Sequence, residues 1–285
     1  MNSREVEQPD EDTRDRIHFI LNNVSANNMT SKANELRTIL KPQFFDYFAT
    51  HLIVHRVSND TRFQNLYLEL IDQQGQPELF QKVLKVTFRA VQTILNSPKL
   101  TQSAERSNLK NLGTWLGSMT LARNHPIMFV DLAVKELILK AYEAGNLWAV
   151  LPFVSRILLQ SVDSKVFRVP NPWLVAILRL LKEIHSHPRV HQNIKFEVEL
   201  LYQGIQEDLA TMPPSDLLLN HTMYTGPNMK DFSADPTGGA SNPAAAHPLH
   251  APHIPGSINW MPSLSINPEL TVFTHQPVFK QRLLT

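Results

Sequence analysis

The chain has 285 residues, 42% apolar and 19% charged, so it is long enough to bury a core as one large domain or two modest ones. It contains no cysteine, which excludes disulfides, thiolate catalysis and cysteine-ligated zinc. The formal net charge of +1 falls short of the dense basic surface of a dedicated nucleic-acid binder, and no apolar run reaches the roughly 18 residues that cross a bilayer.

Residues 1–15 form an acidic leader that lacks the basic and apolar regions of a signal peptide, and we expect it to be disordered. From residue 16 to about Leu209, apolar residues recur at spacings of three and four, as in amphipathic helices. The pattern predicts about ten helices. Nine of them have clear limits, at 17–24, 31–40, 42–57, 62–71, 77–95, 105–123, 132–144, 146–162 and 172–185.

Two of these helices carry clear end signals. Asp131 is expected to cap the N-terminus of the seventh helix, and Gly145 is expected to end it. Asn171 followed by Pro172 predicts the start of the ninth, because the amide can accept from backbone N–H groups and proline has the helical φ without a donor.

Successive helices joined by short links predict a solenoid of about five HEAT-like antiparallel helix pairs over 16–211. Eleven of the 20 prolines follow Thr211, so residues 212–253 are predicted to be a low-complexity linker. Apolar residues return over 254–285, where Pro277 is placed to open a helix. We expect the start of a further helical module there, cut short by the chain end.

Gly113 and Gly117 lie four residues apart inside the sixth predicted helix, where each costs about 1 kcal/mol. Their expected use is the close approach of a second helix. Aromatic residues at helical spacing are interpreted as core rather than as a ligand groove, in particular Trp115, Trp148, Phe129, Phe153 and Phe167.

The sequence shows no nucleophile elbow, phosphate-binding glycine loop or zinc-protease motif. The histidines at 185, 187 and 191 straddle a predicted helix end, and those at 247, 250 and 253 lie in the predicted linker, so we predict no metal site, no catalytic residue and no cofactor.

Arg168 stands just before a predicted helix N-terminus, where the dipole gives a cation no benefit. One interpretation is an internal ion pair with Asp131 or Asp163. The alternative is a bidentate contact with an acidic group of a partner.

Three stretches, NLKNLGTWLGSMTLARNHPI, VFRVPNPWLVAILRLLKEIH and NIKFEVELL, closely resemble the middle helical domain of the Not-one scaffold subunit of the Ccr-Not mRNA deadenylase complex. The resemblance covers nearly all of 16–209, and IHFILNNVSANNMTSK agrees with it. LSINPELTVFTHQPVFKQRLLT resembles the opening of the next module of that scaffold, which recruits a Caf-forty-type subunit. IHFILNNVS and NDTRFQNLYLEL also resemble the initiation-factor-four-G middle domain, but that match is shorter.

The resemblance implies a non-catalytic scaffold that holds a Caf-type deadenylase, a DEDD-family nuclease, on one surface. On another surface it implies docking of a DEAD-box ATPase, whose ATP hydrolysis it can stimulate. Such a scaffold acts in mRNA decay and translational repression together with other subunits of the complex, by raising their effective concentration on one message. We expect a cytoplasmic location, including P-bodies, with a nuclear pool and no membrane partner.

Candidate partner-binding residues follow from general solenoid geometry. For the ATPase we expect Lys110, Asn111, Trp115, Arg123, Arg168 and Asn171. For the nuclease we expect aromatic anchors at Phe45, Tyr47 and Phe48. Weak RNA contact through basic residues is a further expectation.

Two rival functions stay open at this point. An initiation-type scaffold binding RNA and a translational DEAD-box helicase predicts retention on RNA that falls steeply with salt. An all-helical enzyme predicts an exposed polar pocket with perturbed carboxylates.

Overall fold

The computed structural model describes residues 8–224 and residue 231, which form ten α-helices and no β-strand. The all-helical prediction is confirmed. The helices are α1 (Glu11–Asn23), α2 (Met29–Ile39), α3 (Phe45–Leu52), α4 (Gln64–Gln74), α5 (Pro77–Leu95), α6 (Ser103–Met119), α7 (Val134–Ala144), α8 (Leu147–Leu159), α9 (Pro172–Ser186) and α10 (Gln192–Gly204).

Successive helices pair, and the pairs stack in two rows. α1 contacts α2, α5 contacts α6, α7 contacts α8, and α9 contacts α10. The first helices of neighbouring pairs also touch, as α3 on α5 and α7 on α9, and so do the second helices, as α2 on α4 and α6 on α8. One buried apolar cluster runs from Ile17 to Leu218. This is the expected solenoid, in which each pair completes its neighbour's core.

The expected close approach at the two glycines is confirmed, with α8 as the second helix. A Cβ on Gly113 would lie 2.6 Å from the carbonyl oxygen of Phe153, and one on Gly117 would lie 2.6 Å from that of Ile157. Only a residue without a side chain allows this backbone separation.

The first helix begins before the predicted boundary at residue 16. Asp10 Oδ1 accepts from the Thr13 backbone N–H at 2.8 Å, and Glu11 and Asp12 occupy the first helical turn. Part of the leader that was expected to be disordered is therefore a helix start. Its acidic residues lie where the helix dipole favours negative charge.

Gly145 ends α7 at a φ of 67°, and the Asn171 side chain accepts from Trp173 N and Leu174 N at 3.0 and 3.3 Å, so both end signals are confirmed. The expected Asp131 cap is wrong. Helix α7 begins only at Val134, because a turn bonds Asp131 N to the Met128 carbonyl and the Asp131 carbonyl accepts from Gln92 Nε2 at 3.2 Å.

The chain after Thr211 packs on the last pairs instead of leaving the domain at residue 211. Ser215 N donates to the Arg179 carbonyl, and the Glu183 carboxylate accepts from Leu217 N and Leu218 N at 3.1 Å each. We call residues 214–224 together with Asp231 the C-terminal strap. The predicted linker at 212–253 therefore starts with ordered chain.

The strap ends at the N-terminus of α8. The Asp231 carboxylate accepts from Leu147 N at 2.6 Å and from Trp148 N at 2.9 Å, and its carbonyl accepts from His191 N. The remaining predictions for 232–285, including the helix opened by Pro277, lie outside the described residues.

Candidate partner-binding surfaces

Asn111 on α6 makes hydrogen bonds within the domain. Its side-chain amide donates to the Ser58 carbonyl at 2.8 Å, and its own carbonyl accepts from Gln64 Nε2 at 3.0 Å, which joins α6 to the start of α4. Lys110 beside it is partly exposed and forms no ion pair with a described residue. Of these two expected ATPase contacts, Lys110 keeps its charge available.

Trp115 cannot contact a partner, which corrects the prediction. The side chain is fully buried, and its indole Nε1 donates to Thr87 Oγ1 on α5 at 3.1 Å. The Thr87 hydroxyl in turn donates to the Val83 carbonyl. Trp115 therefore ties α6 to α5 within the core, in agreement with the interpretation of these aromatic residues as core.

Arg123 is partly exposed but already paired. Its two terminal nitrogens contact the two carboxylate oxygens of Asp72 at 2.7 Å each, and the guanidinium lies 5.7 Å from the centre of the Phe80 ring. This bidentate pair links the second hairpin to the third. A partner acid at this position has to share the cation with Asp72.

Two of the three expected nuclease anchors are core residues. Phe45 and Phe48 are buried within α3, so the prediction that they are surface anchors is wrong. Tyr47 is partly exposed, and its hydroxyl lies 2.8 Å from His18 Nε2 on α1. Only Tyr47 of this set can reach a partner.

Tyr47 belongs to a row of rings that the sequence interpretation missed. We define the histidine row as His18, Tyr47, His51 and His55. The His18 and His51 rings stack with centroids 3.9 Å apart, and those of His51 and His55 are 5.0 Å apart. Burial, followed by the nearby His18, lowers the pKa of His51 to about 4, so the His51 ring is uncharged at neutral pH. The spacing of four between 47, 51 and 55 is the signal that could have revealed it.

Beside the row lies a groove of about 220 Å³ that includes Arg56, Asn59, Phe63 and Tyr67. A single π-helical turn, Ile53–Val57, carries Arg56 there. Arg56 Nε is buried and has no hydrogen-bond partner among the described residues. The ring of Phe63 is 44% exposed. This surface therefore combines a cation with an open aromatic ring.

Arg168 lies in the loop between α8 and α9 and is exposed. It forms no ion pair with Asp131, Asp163 or any other acid among the described residues, so the internal-pair interpretation is wrong. Asn171 is held by its capping bonds and by donating from Nδ2 to the Val166 carbonyl at 3.0 Å. The alternative interpretation of Arg168 as a contact for a partner's acid remains a prediction.

The expectation that Phe129 belongs to the core is also wrong, although Phe153 and Phe167 are buried. The loop before α7 exposes Met128, Phe129 and Val130 by 50%, 54% and 69% of their surfaces. Three consecutive exposed apolar residues are typical of an interaction site.

The ionisable groups around the last pairs are engaged in the fold. His185 Nε2 lies 2.9 Å from Glu199 Oε1, and His191 Nδ1 accepts from Asn193 N at the start of α10. Burial raises the pKa of Asp231 to about 6, but this acid is enclosed and bonded to the α8 N-terminus. Residues 8–224 and 231 contain no group of three side chains arranged to hold a metal ion, and the second histidine set lies outside them. None of the described helices combines the length and apolarity needed to span a bilayer.

Comparison with known proteins matches the whole solenoid to one protein family. The sequence model of the family described as "CCR4-NOT transcription complex subunit 1 CAF1-binding domain" matches residues 5–226. "General negative regulator of transcription subunit 1" of Schizosaccharomyces pombe is 34% identical over 227 residues, which cover 79% of this chain and 11% of that protein. The protein of the same name in Saccharomyces cerevisiae is 36% identical over 207 residues, covering 73% of this chain and 10% of the relative.

"CCR4-NOT transcription complex subunit let-711" of Caenorhabditis elegans is 35% identical over 223 residues, which cover 75% of this chain and 8% of that protein. The chain thus spans about a tenth of the length of the curated relatives it matches. The match confirms the resemblance to the Not-one scaffold, and the chain belongs to the family of CAF1-binding domains of CCR4-NOT transcription complex subunit 1.

Proposed function

We propose that this domain is a non-catalytic scaffold of a CCR4-NOT type deadenylase complex, and that it docks a CAF1-type deadenylase for mRNA decay and translational repression. The observation that carries this proposal is the family match over residues 5–226, which spans all ten α-helices of the described chain. A continuous core fixes the pairs relative to one another, so a bound nuclease is held at a defined place. The proposed setting is the cytoplasm, with a nuclear pool.

A second part of the proposal is a DEAD-box ATPase on another surface. Lys110 on α6 and Arg123 in the turn after α6 support it, because both are partly exposed cations. Tyr47, the accessible anchor of α3, is our candidate contact for the nuclease.

Calorimetric titration of the purified chain with a purified CAF1-type deadenylase tests the docking of the nuclease. We expect a one-to-one complex, and replacement of Tyr47 by Ala to weaken it, while Ser107→Ala on exposed α6 surface leaves it unchanged. Absence of a complex with the unaltered chain contradicts the nuclease assignment. Retention on RNA together with a translational helicase, and not with the nuclease, supports the initiation-type rival.

The ATPase assignment needs its own measurement. With the nuclease already bound, the second RecA-like lobe of a DEAD-box ATPase of mRNA decay is added, and we expect a ternary complex. The double variant Lys110→Glu/Arg123→Glu should lose the ATPase and keep the nuclease. Displacement of the nuclease by the ATPase contradicts the assignment of two separate surfaces.

A further inference from the structure

A groove between the α8–α9 loop and the end of α10 carries two cations that the fold does not use. Lys165 and Arg168 line this groove of about 410 Å³. Both residues are exposed, and neither forms an ion pair with a described acid. Solvated lysines and arginines are common on protein surfaces, so their placement decides whether the groove can select a ligand.

The loop that carries these cations is fixed by hydrogen bonds. Asn124 Oδ1 accepts from Lys165 N at 2.7 Å and from Val166 N at 3.0 Å, while Ser164 Oγ accepts from Phe167 N at 2.8 Å. The Arg168 carbonyl accepts from Asn171 N at 2.7 Å. A loop held in this way presents its side chains from a fixed backbone, so binding orders less of the chain.

The buried side chain of Phe167 also holds this loop in place. It is 9% exposed, and its ring meets that of Trp173 edge to face with centroids 6.1 Å apart. Lys165 and Arg168 are therefore held on either side of a buried anchor, three residues apart.

The other wall of the groove is formed by Ile205, Gln206 and Glu207, which directly follow α10. Val162 and Val169 add apolar surface from the same connection that carries the two cations. Glu207 N donates to the Tyr202 carbonyl at 3.0 Å, which holds this wall against the core. An anion entering the groove is attracted to the loop side and repelled from the Glu207 side.

We propose that this groove binds a short peptide segment of a partner protein that carries acidic and apolar residues together with a Lys or Arg. The acids contact Lys165 and Arg168, the apolar side chains cover Val162 and Ile205, and the cation faces Glu207. This binding goes beyond the docking of the nuclease and the ATPase. Of the residues predicted for those two partners it uses only Arg168, and it involves neither Tyr47 nor Lys110.

The composition of the groove favours a peptide over RNA. Two cations and a facing carboxylate give little net attraction for a phosphate backbone. Among the residues that line the groove, none is aromatic, so bases find no stacking surface.

The probe is a nonapeptide with two Asp, three Leu and one Lys, titrated into methyl-labelled protein and followed by NMR. We expect the methyl signals of Val162, Val169 and Ile205 to shift. The double variant Lys165→Glu/Arg168→Glu should bind at least ten times more weakly, as should a peptide with Asn in place of Asp. A matched control, Lys85→Glu/Arg89→Glu on the exposed face of α5, should keep the affinity.

Charge exchange makes the test specific. A peptide with Lys in place of Asp should bind the Lys165→Glu/Arg168→Glu variant better than it binds the unaltered protein. Unshifted groove methyls, or equal affinities for the variant and the unaltered protein, overturn the proposal. Tighter groove binding by a nine-nucleotide oligouridylate overturns it in favour of a nucleic-acid site. Because the nuclease and the ATPase are measured separately, loss of either is distinguishable from loss of the peptide.

Discussion

The contact between α6 and α8 in the middle of the stack differs from the contact between α1 and α3 at its first end. In the middle, glycines bring backbone against backbone, and Gly113 has no room for a methyl group beside Phe153. At the first end, the contact is made by the stacked rings of His18 and His51, and His51 Nε2 is buried without a hydrogen-bond partner in the described part of the chain. Close backbone packing therefore holds the middle helices together, whereas the stability of the first end is expected to vary with the protonation of its histidines.

Removal of the largest side chain of the middle should have the largest effect. Trp115→Ala leaves a cavity between α6 and α5 and removes the partner of Thr87, so we expect a loss of about 3–5 kcal/mol in the free energy of unfolding. Urea denaturation measures it. Trp115→Phe, which keeps a ring, should lose less. A loss below 1 kcal/mol for the alanine variant contradicts the assignment of Trp115 to the core.

Addition of a single methyl group tests the backbone contact itself. Gly117→Ala places a Cβ 2.6 Å from the Ile157 carbonyl oxygen and 2.6 Å from Gln160 Cγ. We expect about 1–3 kcal/mol of destabilisation, although alanine favours a helix by about 1 kcal/mol over glycine. Thermal unfolding of this variant is compared with that of Ser107→Ala, an exposed substitution on the same helix, which should stay within about 0.5 kcal/mol. Stabilisation by Gly117→Ala would show that α8 moves away freely.

The first end should respond to pH instead. Because burial lowers the pKa of His51 from 6.5 to about 4, the unfolded chain binds this proton at a higher pH than the folded chain does. Stability should therefore fall as the pH drops from 6.5 toward 4, by about 1 kcal/mol between pH 6.5 and 5 once the partial solvent exposure of the ring is allowed for.

Denaturation curves at several pH values measure this slope, and His51→Leu should reduce it. Part of the slope should remain, because burial also lowers the pKa of His18. An unchanged slope in the leucine variant assigns the pH dependence to other groups.

The sequence was informative wherever the signal is local. Helical periodicity predicts the ten helices, and the ends at Gly145 and Asn171 follow from the conformation or hydrogen bonds of one or two residues. The pairing of Gly113 and Gly117 with a second helix was predictable because their cost within a helix needs a compensating contact. The same spacing rule could also have placed Phe45 and Phe48 in the core, since Ala49 and Leu52 complete their buried stripe.

Contacts between distant residues could not be predicted in this way. Asp231 caps α8 from 83 residues away at Trp148, and Gln92 holds Asp131 in a turn from 39 residues away. Local patterns carry no information about such partners. Arg168 is a further example. The sequence predicts that this cation needs an acid, but only the structure shows that no described acid pairs with it.

The smallest expected effect concerns the ion pair that lies between the two regions. Arg123 and Asp72 remain 30% and 47% exposed, so their bidentate contact should contribute only about 0.2–1 kcal/mol. A double-mutant cycle with Arg123→Gln and Asp72→Asn, measured in 50 mM and 1 M NaCl, isolates this coupling energy, and salt should reduce it. A coupling above 2 kcal/mol that resists salt would contradict this assignment, because an exposed pair is screened by salt and adds little to a contact that the shared apolar core already makes.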